Sequence, residues 1–280
     1  MSGTATRRLS GKARSRLLGA TGIVTLIAAW WLSAETIFSQ IGVSPTGEGG
    51  TIPSPWDVIQ ALVTDGPMFY LSNLAVTAQE AALGYVWGNG IAIALAFLVV
   101  ILPFVEGTVM QIAVISYCVP IVAIGPIVRI IIGVPSPGEP SGTAVFLAAM
   151  IPFFTTVTGA LLGLRAADKT ILELVTAYGG SRLTQLTKVR LIAALPATLN
   201  ALKIAGPAAF LGAIIGEYMG GVDAGIGPAL VNAQQNLNAP RAWALALVIG
   251  LASGLAYFLI SVIARFVTPW TSGNAKGTVA

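Results

Sequence analysis

Long runs of apolar residues constrain this chain more than any other feature. A helix that crosses a bilayer needs roughly 20 mostly apolar residues, and by that rule the sequence predicts six spans. A mean hydropathy of +0.84 and 32 glycines are typical of membrane helices that pack through small residues. The sequence therefore predicts an all-α integral membrane protein whose spans lie at residues 17–37, 71–102, 109–133, 143–164, 195–219 and 243–267.

Positive charges are distributed unevenly around these spans. The tail 1–16 and the loop 165–194 are both rich in Lys and Arg, and of the 15 Lys and Arg in the chain only Arg129 and Arg241 fall near the opposite side. Lys and Arg are enriched in cytoplasmic loops. Both termini, including the tail 268–280, are therefore predicted to be cytoplasmic.

The first apolar run, 17–37, has two interpretations. It follows a basic stretch, as a cleavable signal core does. It is longer than a usual signal core, however, and Trp30 and Trp31 suit an anchor at the membrane interface. We favour a retained first helix, which would be followed by a core of five spans over 71–267.

The segment 38–70 is predicted to be external. It contains TIPSPWDVIQALV, in which Pro53 and Pro55 would precede a short helix with one apolar face. Such a helix would lie on the membrane surface, with a face made of Trp56, Ile59, Leu62 and Val63.

The composition excludes several kinds of chemistry. There is no histidine, and Cys118 is the single cysteine, so an internal disulfide, a Cys/His metal site and a histidine base are excluded. Cys118 lies in an apolar run and is expected to be buried and inert. The nearest approach to a phosphate-binding loop, GLRAADKT at 163–170, has Asp168 where that loop needs glycine. The chain is therefore not expected to hydrolyse ATP.

The polar segment ELVTAYGGSRLTQLTKVRLIAALP, residues 173–196, interrupts the apolar pattern. Asp168 or Thr170 would cap a first helix, and Thr170 and Glu173 have the spacing of a capping box. Gly179 and Gly180 would end that helix, and Ser181 would cap a second one. The second helix would carry a modest apolar stripe of Leu183, Leu186 and Val189. These features predict either a docking platform for a partner or an ordinary loop between two spans.

The same segment resembles the cytoplasmic coupling loop, or EAA motif, of permease subunits in binding-protein-dependent ATP-binding-cassette (ABC) importers. Glu173 and Gly179 match the motif, and Pro196 matches its last proline, whereas Leu174 and Val175 replace its alanines and Ile192 replaces its first proline. The resemblance implies a type I importer permease fold. It also implies an ATPase-coupling set made of Glu173, Ala177, Gly179, Gly180, Ser181, Arg182 and Pro196.

Three further stretches resemble the nitrate/sulfonate/taurine branch of these permeases, which also takes in importers of pyrimidine precursors. They are IPSPWDVIQAL, PIVAIGP at Pro120–Pro126 and GEYMGG at Gly216–Gly221. The resemblance implies a bacterial inner-membrane protein and an assembly of two permeases, two ATPases that bind ATP and Mg²⁺, and an extracytoplasmic substrate-binding protein. A single permease of this kind would form a homodimer, with no cofactor in this chain and no nucleic-acid partner.

Two charges are candidates for the translocation path. Glu80 would lie about 13 Å into the membrane if its span begins near Leu71, so it should face the bundle or water, or be protonated. Arg129 would lie near the outer end of its span, where it could equally snorkel to the surface. The full candidate set for the path is Glu80, Arg129, Pro120, Pro126 and Glu217.

A secondary transporter or channel is the alternative function. Such proteins usually hold several ionisable groups within their spans, whereas Glu80 is the one that is clearly deep here. Glycines also recur four residues apart, at Gly84/Gly88, Gly159/Gly163, Gly216/Gly220 and Gly250/Gly254, and close packing of helices is sufficient to explain them.

Overall fold

The computed structural model describes residues 11–37, 52–136 and 138–272, and these contain helices and no strand. The predicted all-α fold is confirmed. The helices are α1 (Gly11–Thr36), α2 (Pro55–Asp65), α3 (Pro67–Ile101), α4 (Glu106–Cys118), α5 (Ile121–Ile132), α6 (Gly142–Arg165), α7 (Lys169–Ala177), α8 (Arg182–Gln185), α9 (Leu191–Gly220), α10 (Ile226–Gln235) and α11 (Ala239–Val267). The basic tail 1–10, residues 38–51 of the predicted external segment and the tail 273–280 lie outside the described residues.

Five helices are long and apolar enough to cross a membrane, and a bent pair can supply a sixth span. The pair comprises Pro103–Cys118, which includes a short 3₁₀ turn before α4, and Ile121–Ile132, bent by 101°. The region predicted as one span, 109–133, is therefore broken into two helices near its middle. Val119 adopts an extended conformation (ψ 128°), since the residue before a proline disfavours the helical region, and Pro120 lacks the N–H that would continue the helix.

The helix that contains the fifth predicted span begins earlier than expected. Arg182–Gly220 forms one continuous apolar helical stretch of 39 residues, in which a π-helical turn, Leu186–Arg190, joins α8 to α9. The helix thus continues upstream of residue 195, where the span was predicted to start, because the charges of these first turns resemble a loop in the sequence.

The chain divides into two compact units, and the smaller one lies within 1–67 and 233–244. Here α2 begins with a capping box in which Ser54 and Asp57 each accept a hydrogen bond from the other's backbone N–H, which satisfies two orphan donors of the first turn. The predicted helix with an apolar face is present: Trp56, Ile59 and Val63 are exposed and Leu62 is half-buried. Its place at the membrane surface stays a prediction.

The first apolar run is tied to the other parts of this smaller unit. Trp30 stacks on Trp243 with ring centroids 5.3 Å apart and donates its indole N–H to the Pro53 carbonyl at 3.1 Å. An ion pair joins Asp65 and Arg241.

The larger unit, within 68–232 and 245–280, is built on close contacts among α3, α6 and α9. Gly84 and Gly88 lie against the α6 backbone near Ala148 and Ala149. Gly159 and Gly163 of α6 contact Ala201 and Ala194 of α9. In turn, Gly212 and Gly216 of α9 pack against the first half of α6. Glycine allows this approach because a Cβ would overlap the neighbouring backbone.

Two predictions about apolar surfaces were wrong. Nothing lies within 4 Å of a Cβ built on Gly250 or Gly254, so this pair makes no close packing contact with the described residues. Cys118 is exposed rather than buried. An apolar neighbourhood does not distinguish a lipid-facing position from a buried one in a membrane protein, because both surroundings are apolar.

Candidate functional site

The predicted coupling segment, residues 165–194, begins with helix α7. Asp168 is its N-cap, and the Asp168 carboxylate accepts the Thr170 backbone N–H at 2.7 Å. Of the two predicted caps, Asp168 rather than Thr170 is the N-cap, and Thr170 and Glu173 do not form the predicted capping box. Glu173 is exposed one turn further on, where it is available to a partner.

The two glycines end α7 as predicted. The backbone N–H of Tyr178 donates to Leu174 O at 3.1 Å, and that of Gly180 donates to Val175 O at 2.8 Å. Gly179 has φ +78°, a left-handed conformation that glycine adopts without strain. A Cβ on Gly180 would lie 2.7 Å from the Val175 carbonyl oxygen, so this position is also closed to a side chain.

Side-chain hydrogen bonds fix the next turn against α7. Ser181 caps α8 as predicted, accepting the Thr184 N–H at 3.3 Å. The Gln185 amide donates to Leu172 O at 3.0 Å and to the Thr176 hydroxyl at 2.8 Å. These bonds hold α7 and α8 in one defined arrangement.

The coupling segment exposes an apolar ridge. On α7, Ile171, Leu174 and Tyr178 are 48%, 55% and 86% exposed. The predicted stripe on the second helix was only partly correct, because Leu183 is exposed but Leu186 is buried. We call Ile171, Leu174, Tyr178 and Leu183 the coupling ridge.

The remaining predicted coupling residues lie beside or behind this ridge. Ala177 and Arg182 are exposed, whereas Pro196 is half-buried inside α9. The segment is anchored to the end of α6 as well, because the Arg190 guanidinium donates to Leu164 O at 3.0 Å and Arg165 pairs with Glu106.

Away from the coupling segment, near the end of α9, one carboxyl group of α3 and one of α9 are buried together. Glu80 and Glu217 are each 1% exposed and are neighbours that interact with one another. Glu80 Oε1 accepts the Ser141 N–H at 2.6 Å, and Glu217 Oε2 accepts the Gly227 N–H at 2.6 Å. Glu80 thus faces the helix bundle, as expected for a carboxyl at that depth.

The start of α10 is held by side chains of α3 and α9. The Gly225 N–H donates to Asn73 Oδ1 at 3.1 Å and the Ile226 N–H donates to Thr77 Oγ1 at 2.9 Å, while Glu217 takes the third N–H. These bonds satisfy donors that a helix start leaves without partners. Sequence reasoning missed Asn73 and Thr77, although polar residues four apart on an apolar helix were a signal of a polar face.

Arg129 lies near this cluster on α5. It donates to Met219 O at 3.4 Å, and its guanidinium packs against Gly221, which has φ +65°. Consistent with the predicted difference in depth, no ion pair joins Arg129 to Glu80 among the residues that the structure describes.

Two cavities open beside these groups. An open one of about 490 Å³ is lined by Pro126, Arg129 and Tyr218, while Pro120 lies at the bend before α5. A second, of about 170 Å³, is lined by Glu80, Glu139 and Asp223 among others. Of the candidate path residues, Glu80, Pro126 and Arg129 therefore border these cavities, whereas Pro120 and Glu217 line neither.

Comparison with known proteins identifies the family. Residues 88–273 match the model of the binding-protein-dependent transport system inner membrane component. The chain is 29% identical over 216 residues (77% of this chain, 85% of the relative) to a protein of Haemophilus influenzae described as a probable ABC transporter permease. It is 22% identical over 245 residues (88% and 92%) to the formylaminopyrimidine transport permease ThiX of Halalkalibacterium halodurans.

A solved structure supports the fold. The MetNI methionine ABC transporter in inward-facing conformations matches with a TM-score of 0.56 and 20% identity, over 76% of this chain and 97% of that one. The family match covers most of the chain and contains the coupling segment and all the candidate path residues except Glu80. The chain therefore belongs to the family of inner-membrane permease components of binding-protein-dependent ABC transport systems.

Proposed function

We propose that this permease forms the translocation path of an ATP-driven importer as a homodimer, with the coupling ridge docked on separate ATPase subunits. The coupling ridge is the observation that supports this proposal. An exposed apolar surface on a short helix between two spans, held in place by hydrogen bonds, is suited to bind a protein partner. A secondary transporter or channel would have no motor to receive it.

In this proposal ATP and Mg²⁺ are bound by the ATPases, and this chain supplies no nucleotide site of its own. Closure of the two ATPases draws the coupling segments of both permeases together. The spans then open to the outside and accept solute from a substrate-binding protein, and ATP hydrolysis restores the inward-open state.

The proposed orientation places both termini and the coupling segment in the cytoplasm of a bacterium. In a Cys118→Ala parent, which removes the exposed native thiol, we expect Ser136→Cys to react with an impermeant thiol reagent added outside intact cells. We expect Lys188→Cys to react only after permeabilisation, since it lies in the coupling segment. Both positions are exposed, whereas Ser141 is 1% exposed and unsuitable. The reverse labelling pattern would place the ridge outside and refute the coupling proposal.

The proposed solute is small and anionic or zwitterionic. Arg129 supports this proposal, since it is an exposed cation beside an open cavity at the proposed outer mouth. Selectivity for the individual compound would reside mainly in the binding protein.

Replacing Arg129 by Gln should lower transport of an anionic solute about tenfold, because a cation at the mouth of a low-dielectric cleft attracts anions and this attraction is lost. The measurement is uptake by proteoliposomes that contain ATPase and saturating binding protein, at low and at high salt. The matched control is Arg129→Lys, which retains the charge and should retain the salt dependence. Equal uptake by the Gln and Lys variants would show that Arg129 has only a structural role.

A further inference from the structure

Buried polar atoms without a partner are concentrated at one place in this molecule. Among the described residues, the buried side-chain atoms that lack a hydrogen bond are Glu80 Oε2, Glu217 Oε1 and Thr143 Oγ1. Buried polar groups are otherwise almost always satisfied. All three belong to the segments around the start of α6. The Thr143 hydroxyl can donate, whereas the two carboxylate oxygens can only accept unless one of the carboxyl groups is protonated.

The two carboxyl groups are arranged in the same way. One oxygen of each accepts a backbone N–H at 2.6 Å. The other oxygen of each has no partner, although the two side chains are neighbours. Two carboxylates offer four acceptors and no donor. A single proton would supply that donor and remove the repulsion of two buried like charges at once.

Each carboxyl group also accepts a hydrogen bond from the start of another helix. Ser141 is the N-cap of α6, and its N–H binds Glu80; Gly227 lies in the first turn of α10, and its N–H binds Glu217. A helix N-terminus stabilises a negative charge, so one remaining charge shared by the pair is supported from both sides.

We infer that Glu80 and Glu217 form a proton-binding pair that holds one proton at neutral pH and thereby fastens α3 to α9 and to the starts of α6 and α10. In this pair one carboxylic acid donates its O–H to the other carboxylate, and the proton belongs to the pair. Loss of the proton leaves two facing anions and should weaken the contact between the helices. The inference goes beyond the proposed function, because it concerns proton binding and does not depend on the solute or on the ATPase.

The charged groups around the pair cannot replace the proton. Glu139 and Asp223 line the cavity that Glu80 borders, and both add negative charge. Arg129, a cation of α5, binds Met219 O and packs against Gly221. A bound metal ion is also disfavoured, since each carboxyl has one oxygen committed to a backbone N–H and no group of three or more candidate ligands occurs in the described part of the chain.

The sign of the pH dependence follows from linkage. The folded state binds one proton more than the unfolded chain at neutral pH, so stability falls as pH rises. For the full-length permease in lipid nanodiscs, we expect the melting temperature to fall by at least about 5 °C as the pair loses its proton at alkaline pH. Glu80→Gln should abolish this fall, because its amide donates to Glu217 while its carbonyl oxygen still accepts the Ser141 N–H.

Glu139→Gln is the matched control, since it removes an exposed carboxyl of the same cavity and should keep the fall seen in the unmodified protein. Glu217→Gln provides a second test if Glu80→Gln does not fold. A direct measurement is the infrared C=O band of a protonated carboxyl, which we expect in the unmodified protein at neutral pH and not in Glu80→Gln. An absent band, an equal alkaline fall in Glu80→Gln, or stabilisation by Na⁺ that requires both carboxyls would overturn the inference.

Discussion

Gly179→Val should strongly reduce coupled transport while leaving the permease in the membrane. A β-branched residue at φ +78° costs about 1–2 kcal/mol or more, and the turn can relieve that strain by displacing α7 from Gln185. About 1.4 kcal/mol corresponds to a tenfold change in an equilibrium, so we expect transport to fall at least about tenfold. The measurements are membrane abundance, co-purification of the ATPase, and transport per ATP hydrolysed in proteoliposomes.

Gly179→Asn is the matched variant for this experiment. Asn tolerates the left-handed region far better than Val, so it should keep most of the transport rate. Transport by Gly179→Val at the unmodified rate would refute the role of this turn in coupling. If Val abolished expression as well, the segment would be acting only as a loop needed for folding.

Gly212→Ala should destabilise the larger unit strongly for a change of one methyl group. A Cβ at this position would lie 2.6 Å from Ala148 Cα and 2.7 Å from Ala148 N, atoms of a backbone that cannot rotate away. Overpacking of this kind costs about 1–3 kcal/mol, so we expect a fall in melting temperature of several degrees. Thermal unfolding of the purified protein in nanodiscs provides the measurement.

Gly250→Ala makes the same chemical change where nothing lies within 4 Å of the new Cβ. Because Ala favours a helix over Gly by roughly 0.5–1 kcal/mol, this variant should be as stable as the parent or slightly more so. Equal destabilisation by the two variants would contradict the close packing of α9 on α6.

The sequence predicted the helices well, because long apolar runs and caps are local properties. Ser181 and Gly179 could be placed from neighbours within one turn, whereas the choice between Asp168 and Thr170 as a cap depended on backbone geometry that adjacent capping residues do not distinguish. Hydropathy gave no sign of the 101° bend after Cys118, because both sides of the bend are equally apolar.

The carboxyl pair could not be predicted in the same way. Glu80 was recognised by its depth and Glu217 by its resemblance to a family motif, but their contact depends on how α3 and α9 pack. The same applies to Asn73 and Thr77, which look like isolated polar residues until α10 is placed beside them.

The continuity of Arg182–Gly220 has a mechanical consequence. At about 1.5 Å per residue, its 39 residues make a rod about 58 Å long, with the coupling segment at one end and Glu217 near the other. A tilt of about 5° about its inner end would carry the outer end through about 5 Å, by the same length. A small rotation imposed at the coupling segment is thus converted into a displacement at the far end of the helix, where the proposed outer mouth lies.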